Sequence, residues 1–127
     1  MRSQTLIAVA DVELSSAWYQ ALLGCESLHG GNEYDRLAMP GEDSFFLQLH
    51  AWDIHDHPNL VGPDREPLGH GVLLWFFVDN FAETLERVQQ LGASIVVEPH
   101  LNERASQNEV WLKDLDGYVV VIAGSQV

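Results

Sequence analysis

The pattern of apolar and polar positions predicts a strand followed by a helix near the start of each half of the chain. An apolar stretch over 5–10 predicts a strand, and Asp11 follows it as a helix-capping residue. A second apolar stretch over 72–78 predicts another strand, and Asp79 and Asn80 then begin a second helix. The apolar positions at helical spacing are Leu14, Ala17, Trp18, Ala21 and Leu22 in the first helix, and Phe81, Leu85, Val88 and Leu91 in the second.

The two halves share a spacing that indicates an internal duplication. Gly24 ends the first helix and Gly92 the second, and the same number of positions separates Asp11 from Gly24 and Asp79 from Gly92. In each half a turn rich in Gly and Asp precedes a last apolar strand, with room for two more strands before it. The further strands are expected near 25–29, 34–39 and 45–49 in the first half, and near 93–98, 109–113 and 118–122 in the second.

Each half is therefore predicted to be a βαβββ module within one domain that spans residues 1–127. Module one covers about 3–52, a linker covers 53–68, and module two covers about 69–125. Cys25 follows the first helix and is predicted to be a buried small side chain rather than a nucleophile, because nothing beside it would activate a thiolate.

Composition narrows the classes of partner. The formal net charge is -13, from 19 acidic and 6 basic side chains. Nucleic acids and anionic membranes are therefore not expected as partners, because binding their phosphates requires clustered Lys and Arg. The acidic charge confers solubility or attracts a cationic ligand. The N-terminal sequence contains neither a secretory signal nor a membrane span, so a cytoplasmic location is expected. The carboxylates of Glu98, Glu103 and Glu109 are interpreted as solvated charges.

The paired modules, together with several short motifs, resemble the vicinal oxygen chelate superfamily, which includes glyoxalase I, extradiol dioxygenases and bleomycin-binding proteins. The resemblance covers essentially the whole chain and implies an α+β fold. In that fold two tandem βαβββ modules form a cupped, mostly antiparallel sheet of eight strands around a small-molecule site, often in a homodimer. The motifs are Val9-Ala10-Asp11, Trp18-Tyr19, Leu23-Gly24 and Asp114-Leu115-Asp116-Gly117-Tyr118.

The resemblance also locates the side chains that would bind a metal ion, on the first and last strand of each module. In this sequence those positions hold Gln4, Gln48, Leu73 and Val121. Two neutral amides and two aliphatic groups offer too few donors to a divalent ion, so no metal cofactor is expected there. The alternative is a divalent metal ion bound by shifted ligands, namely Gln4, His50 and His70.

If the family geometry holds, the inner face of the sheet is an apolar pocket with aromatic walls, suited to a small organic molecule. Two functions remain open: a metal-independent binding protein that sequesters a cationic or aromatic compound, and a metal-dependent lyase or dioxygenase that uses the shifted ligands. The histidine-rich segment 50–57 is either a polar loop or a lid over the pocket. The predicted ligand-binding residues are Gln4, Phe46, Gln48, His50, Leu73, Trp75, Phe77, Trp111 and Val121, and Leu6, Ala8 and Val119 are expected beside them.

Overall fold

The structure is a computed structural model that describes residues 1–62 and 68–125. The chain divides into two compact units, Met1–Glu66 and Pro67–Val127, and each has the element order strand, helix, strand, strand, strand. The α+β class and the tandem βαβββ modules are thus confirmed. The elements are β1 (Thr5–Val9), α1 (Val12–Leu23), β2 (Glu26–Ser27), β3 (Tyr34–Ala38), β4 (Leu47–Ala51), β5 (Leu73–Val78), α2 (Phe81–Leu91), β6 (Ser94–Asn102), β7 (Gln107–Lys113) and β8 (Val119–Ser125).

The sheet of each module is mixed but mostly antiparallel, as predicted. In module one the strand order is β1-β4-β3-β2, and only the β1–β4 pair is parallel. Module two repeats this arrangement with the order β5-β8-β7-β6 and a parallel β5–β8 pair. The identical topology confirms the internal duplication. Part of the predicted linker, residues 63–67, lies outside the described residues.

The helix ends follow the capping signals in the sequence. The Asp11 carboxylate accepts a hydrogen bond from the Leu14 backbone N–H at 3.0 Å, and the Asn80 side chain accepts one from Glu83 at 3.1 Å. Gly24 ends α1 with φ 68°, a backbone conformation that glycine adopts without strain. Over residues 1–62 and 68–125, neither helix combines the length and apolar composition needed to cross a lipid bilayer.

The predicted apolar face of α1 is partly wrong. Leu14 is 60% exposed, and Ala17 and Ala21 are exposed as well. The helix instead turns Tyr19 and Ser16 toward the sheet, because Ser16 is hydrogen-bonded to a buried carboxylate on β3. The buried residues of α1 are Val12, Ser15, Ser16, Trp18, Tyr19 and Leu22.

Strand boundaries shift where pairing, rather than hydrophobicity, decides them. The last strand of module one was expected over 45–49 but is Leu47–Ala51, because its final residues pair with β1 up to Val9 and Ala51. The strand expected over 93–98 extends to Asn102, which pairs with Gln107 across the following turn. The strand near 25–29 shortens to Glu26–Ser27.

Cys25 is buried, as predicted. Its thiol donates a hydrogen bond to the Tyr19 carbonyl at 3.5 Å, and burial raises the pKa of the thiol to about 11. Because a thiol with that pKa stays protonated at neutral pH, Cys25 is a packing residue rather than a nucleophile.

Candidate functional site

Each sheet has one face that packs on its helix and one that is turned away from it, which we call the helix-free face of the module. In module one the Asp35 side chain is hydrogen-bonded to Ser16 of α1, so it lies on the face that packs on the helix. Side chains alternate along a strand, so Tyr34 and Arg36 lie on the opposite face, together with the β4 residues that pair with them. In module two Gly124 packs against Phe81 of α2, which fixes the faces in the same way. The helix-free faces carry Leu6, Ala8, Tyr34, Arg36, Gln48 and His50 in module one, and Leu73, Trp75, Phe77, Glu109, Trp111, Lys113, Val119, Val121 and Ala123 in module two.

On the helix-free face of module one, the amide of Gln48 is held by two neighbours. Its Oε1 accepts a hydrogen bond of 2.5 Å from the Tyr34 hydroxyl, and its Nε2 donates one of 2.8 Å to the backbone carbonyl of Gln4. Gln4 itself is exposed and precedes β1. The amide oxygen that a metal ion would need is therefore shared with Tyr34.

Arg36 lies on the same face beside two aromatic rings. The guanidinium carbon of Arg36 is 5.9 Å from the centre of the Tyr34 ring and 5.3 Å from that of Phe45. Its Nε is buried and has no hydrogen-bond partner among the residues that the structure describes. Phe46, predicted to line the pocket, is half-buried and directly precedes β4. Its backbone N–H donates a hydrogen bond to the Leu37 carbonyl.

A buried carboxylate behind this face fixes the loop that precedes β3. Asp35 is 2% exposed and accepts hydrogen bonds from the Ser16 and Ser27 hydroxyls and from the backbone N–H groups of His29 and Gly30. Burial raises its pKa, but the hydrogen bonds from Ser16, Gly30, Ser27 and the Arg36 backbone outweigh burial, so the net pKa is lowered. Asp35 thus holds α1, β2 and the 29–30 turn together.

The histidine-rich segment brings three imidazole rings together at the end of β4. His50 is buried at 6% exposure, and its ring centre lies 5.8 Å from that of His55 and 5.4 Å from that of His57. The centres of His55 and His57 are 5.5 Å apart. Next to them is a cavity of about 340 Å³, whose lining includes His29, Glu33, Tyr34 and His55.

Module two presents large aromatic side chains on its helix-free face. Trp75 is 42% exposed and Phe77 is 60% exposed, both on β5. Trp75 also meets Trp111 edge-on, with ring centres 6.3 Å apart at 77°. The pairing register aligns Leu73 with Val119 and Trp75 with Val121, so the predicted aromatic and aliphatic residues of this module share one face.

Glu109 lies among these aromatic residues, and its interpretation as a solvated charge is wrong. The residue is 1% exposed, and its carboxylate accepts hydrogen bonds from the side chains of Trp111, Asn102 and Gln107 at 3.1, 2.8 and 3.2 Å. Burial raises the pKa of Glu109, but the three donors and His100, whose Nε2 lies 3.9 Å from the carboxylate, lower the pKa overall. The alternation over 107–113 carried the signal, since it puts Glu109 on the same face as Trp111.

The predicted site residues fall into two groups, one in each unit. Gln4, Gln48 and His50 lie in the first unit, and Gln48 and His50 share its helix-free face. Leu73, Trp75, Phe77, Trp111 and Val121 lie together on the second. His70, part of the shifted ligand set, is exposed in the turn before β5 and belongs to the second unit.

Comparison with known proteins agrees with the fold of two tandem βαβββ modules. The chain matches the family model described as Glyoxalase/Bleomycin resistance protein/Dioxygenase superfamily over residues 3–122. It therefore belongs to this superfamily, as the sequence motifs predicted. No curated protein sequence matches the chain.

Several solved structures share the fold at low sequence identity. TioX from Micromonospora sp. ML1 aligns with a TM-score of 0.75 and 14% identity, covering 100% of this chain and 99% of that one. Lactoylglutathione lyase from Agrobacterium tumefaciens aligns with a TM-score of 0.68 and 16% identity, covering 99% of this chain and 94% of that one. The fosfomycin resistance protein FosX from Mesorhizobium loti aligns with a TM-score of 0.63 and 14% identity, covering 98% of this chain and 91% of that one. At these identities the likeness concerns the fold alone.

Proposed function

We propose that this chain is a small-molecule-binding protein that sequesters a cationic aromatic compound on the helix-free face of module two, with no metal cofactor at the family's usual position. The observation that carries the proposal is the buried carboxylate of Glu109, hydrogen-bonded to the indole of Trp111, whose ring in turn meets that of Trp75. The members of the superfamily bind small molecules, and the acidic net charge of -13 attracts cations to the protein.

The aromatic side chains supply the apolar part of the recognition. Exposed tryptophan and phenylalanine side chains on one sheet face are stabilised when a planar ligand covers them, because this removes apolar surface from water. Trp75 and Phe77 on β5 and Leu73, 43% exposed, form a continuous strip of such side chains. A flat organic molecule fits this strip better than a compact polar one.

Glu109 supplies the preference for positive charge. Its three side-chain donors are neutral groups, so they stabilise the ionised carboxylate without cancelling its charge. The carboxylate accepts the Trp111 indole N–H, so its negative charge lies at the edge of that ring, on the same sheet face as the aromatic side chains that attract a cation. Lys113 is the basic residue on the same face of β7, at the end of the strand away from Glu109.

The side chains at the family's metal positions support a metal-independent function, since their chemistry does not fit a divalent ion. Leu73 and Val121 have no lone pair, and the Gln48 amide is already engaged by Tyr34 and Gln4. The alternative, a lyase or dioxygenase that uses Gln4, His50 and His70, makes a different prediction. Iron, nickel, zinc or manganese would then co-purify stoichiometrically with tag-free protein and be lost in His70→Ala.

Binding of matched aromatic probes tests the proposal. We expect N-methylquinolinium to bind at least about tenfold more tightly than 2-naphthalenesulfonate, with neutral 2-naphthol between them. When N-methylquinolinium is added, two-dimensional NMR should show shifts of the indole N–H signals of Trp75 and Trp111. The signal of Trp18, which is 7% exposed within the core, should stay in place and serves as the internal control.

The substitution Glu109→Gln should weaken binding of the cationic probe by about tenfold and leave that of 2-naphthol nearly unchanged. The matched control is Glu103→Gln, because Glu103 is exposed in the β6–β7 turn. Equal affinity for all three probes, or the same loss in both variants, would contradict a charge-selective site.

We also propose that the protein is a homodimer. The supporting observation is that β6 is an edge strand with apolar side chains exposed on both of its faces. These side chains, with their exposed fractions, are Ile95 (40%), Val96 (46%), Val97 (37%) and Leu101 (42%). Light scattering after size exclusion should give twice the chain mass, and Val96→Lys should give a monomer. A monomer at about 50 µM wild-type protein would count against the dimer.

A further inference from the structure

We propose that His50, His55 and His57 form a binding site for a transition-metal ion such as Zn²⁺ at the end of β4, separate from the family's metal position. The proposal is independent of the function proposed for module two, since the three residues all belong to module one. Imidazole nitrogens are favoured ligands of Zn²⁺, Ni²⁺ and Cu²⁺, whereas Mg²⁺ and Ca²⁺ prefer oxygen.

The spacing of the three rings matches the size of such a site. A zinc ion lies about 2.1 Å from each nitrogen and so about 3.2 Å from each ring centre, which puts three ring centres roughly 5.2 to 5.5 Å apart. The observed separations are 5.4, 5.5 and 5.8 Å, so the rings already form a nearly equilateral triangle of that size.

The hydrogen bond of His50 leaves its outer ring nitrogen available to a metal ion. Its Nδ1 is 2.7 Å from the Ala51 carbonyl oxygen, and because that oxygen can only accept, Nδ1 carries the hydrogen. In the neutral ring the lone pair therefore resides on Nε2. A backbone carbonyl that accepts the other ring N–H is one of the common supports of a metal-bound histidine.

The loop that carries the other two histidines is closed by its own hydrogen bonds. The Asp53 N–H donates to the Leu60 carbonyl at 2.9 Å, and the Gly62 N–H donates to the Asp53 carboxylate at 2.8 Å. His55 and His57 are thereby held near β4, so little further chain ordering would accompany binding.

Rotation of the exposed rings is the remaining step. Within residues 1–62 and 68–125, no group of three or more His, Cys, Asp or Glu side chains is already arranged to hold an ion. The three ring planes meet at angles of 60–71°, and the His55 side chain is 55% exposed, so turning it about its side-chain bonds meets little resistance. The Glu33 carboxylate, 3.9 Å from His55 Nε2, is available as a fourth ligand.

Zinc titration of tag-free, EDTA-treated protein tests the site. Calorimetry with ZnCl₂ should give one ion per chain, and His55→Ala and His57→Ala should each weaken binding by at least about 100-fold. Both residues lie on an exposed loop, so circular dichroism should show that the variants remain folded. The matched controls are His100→Ala and His70→Ala, which remove exposed histidines of module two.

NMR of the imidazole groups provides a second measurement. Zinc should shift the signals of His50, His55 and His57 and leave those of His70 and His100 in place, whereas Ca²⁺ should shift none of the five. Zinc affinity that is unchanged in His55→Ala and His57→Ala overturns the proposal, as does the absence of stoichiometric binding. Loss of binding in His70→Ala alone would overturn it in favour of the shifted ligand set.

Discussion

Replacing Asp35 with asparagine is expected to lower the free energy of unfolding by about 3 kcal/mol, since an amide cannot accept all the hydrogen bonds that the carboxylate accepts. Two hydroxyls and three backbone N–H groups would then compete for one amide oxygen, and the amide NH₂ would face donors. Urea denaturation followed by circular dichroism measures the change. Asp56→Asn, on the exposed loop after β4, is the control and should stay within about 0.5 kcal/mol.

The same carboxylate makes stability depend on pH. Because the pKa of Asp35 is lower in the folded protein than in the unfolded chain, its contribution is complete at neutral pH. The contribution is lost as the pH falls from about 5 through the folded-state pKa. The difference in stability between wild type and Asp35→Asn should therefore shrink on acidification. A difference that stays constant from pH 7 to pH 3 would show that the ionised form does not matter.

Replacing Glu109 with leucine is expected to destabilise the protein by about 2 kcal/mol, even though leucine is similar in volume and more apolar. The indole of Trp111 and the amides of Asn102 and Gln107 would lose their shared acceptor. The cost is smaller than for Asp35, because these donors are half-buried and regain some hydrogen bonds to water.

Thermal and urea unfolding measure this change, and Glu98→Leu on the exposed β6 is the control. Since the pKa of Glu109 is also lowered on folding, its contribution is present at neutral pH and is lost on acidification. If Glu109→Leu were as stable as the control, the hydrogen bonds of the carboxylate would contribute no net stability, as occurs for some buried ionic groups.

The sequence predicted features that depend on neighbouring residues. Asp11 and Gly24 mark α1 because a capping carboxylate and a left-handed glycine act within one helical turn. The family resemblance, combined with the alternation of side chains along each strand, predicted that Trp75 and Val121 share a face, and the β5–β8 pairing aligns them. These signals are local, and the same signals occur in both modules.

Features that depend on distant partners were missed. Ser16 turns inward because it meets Asp35, and no periodicity within α1 records that contact. The burial of Glu109 depends on Asn102, which reaches it across the β6–β7 hairpin. Similarly, the spacing of His50, His55 and His57 in the sequence could not show that a closed loop brings their rings within 5.8 Å of one another.

The parallel pairing of the first and last strand in each module has a consequence for biosynthesis. As the chain leaves the ribosome, β1 emerges first and has no strand partner until Leu47 and the residues after it have followed. Module one can then complete its sheet while module two is still being translated, and β5 later waits in the same manner for β8. Each parallel pair joins two strands of the same module, so β1 does not have to wait for the end of the chain to find its partner. Its unpaired edge is therefore exposed to neighbouring nascent chains for less time.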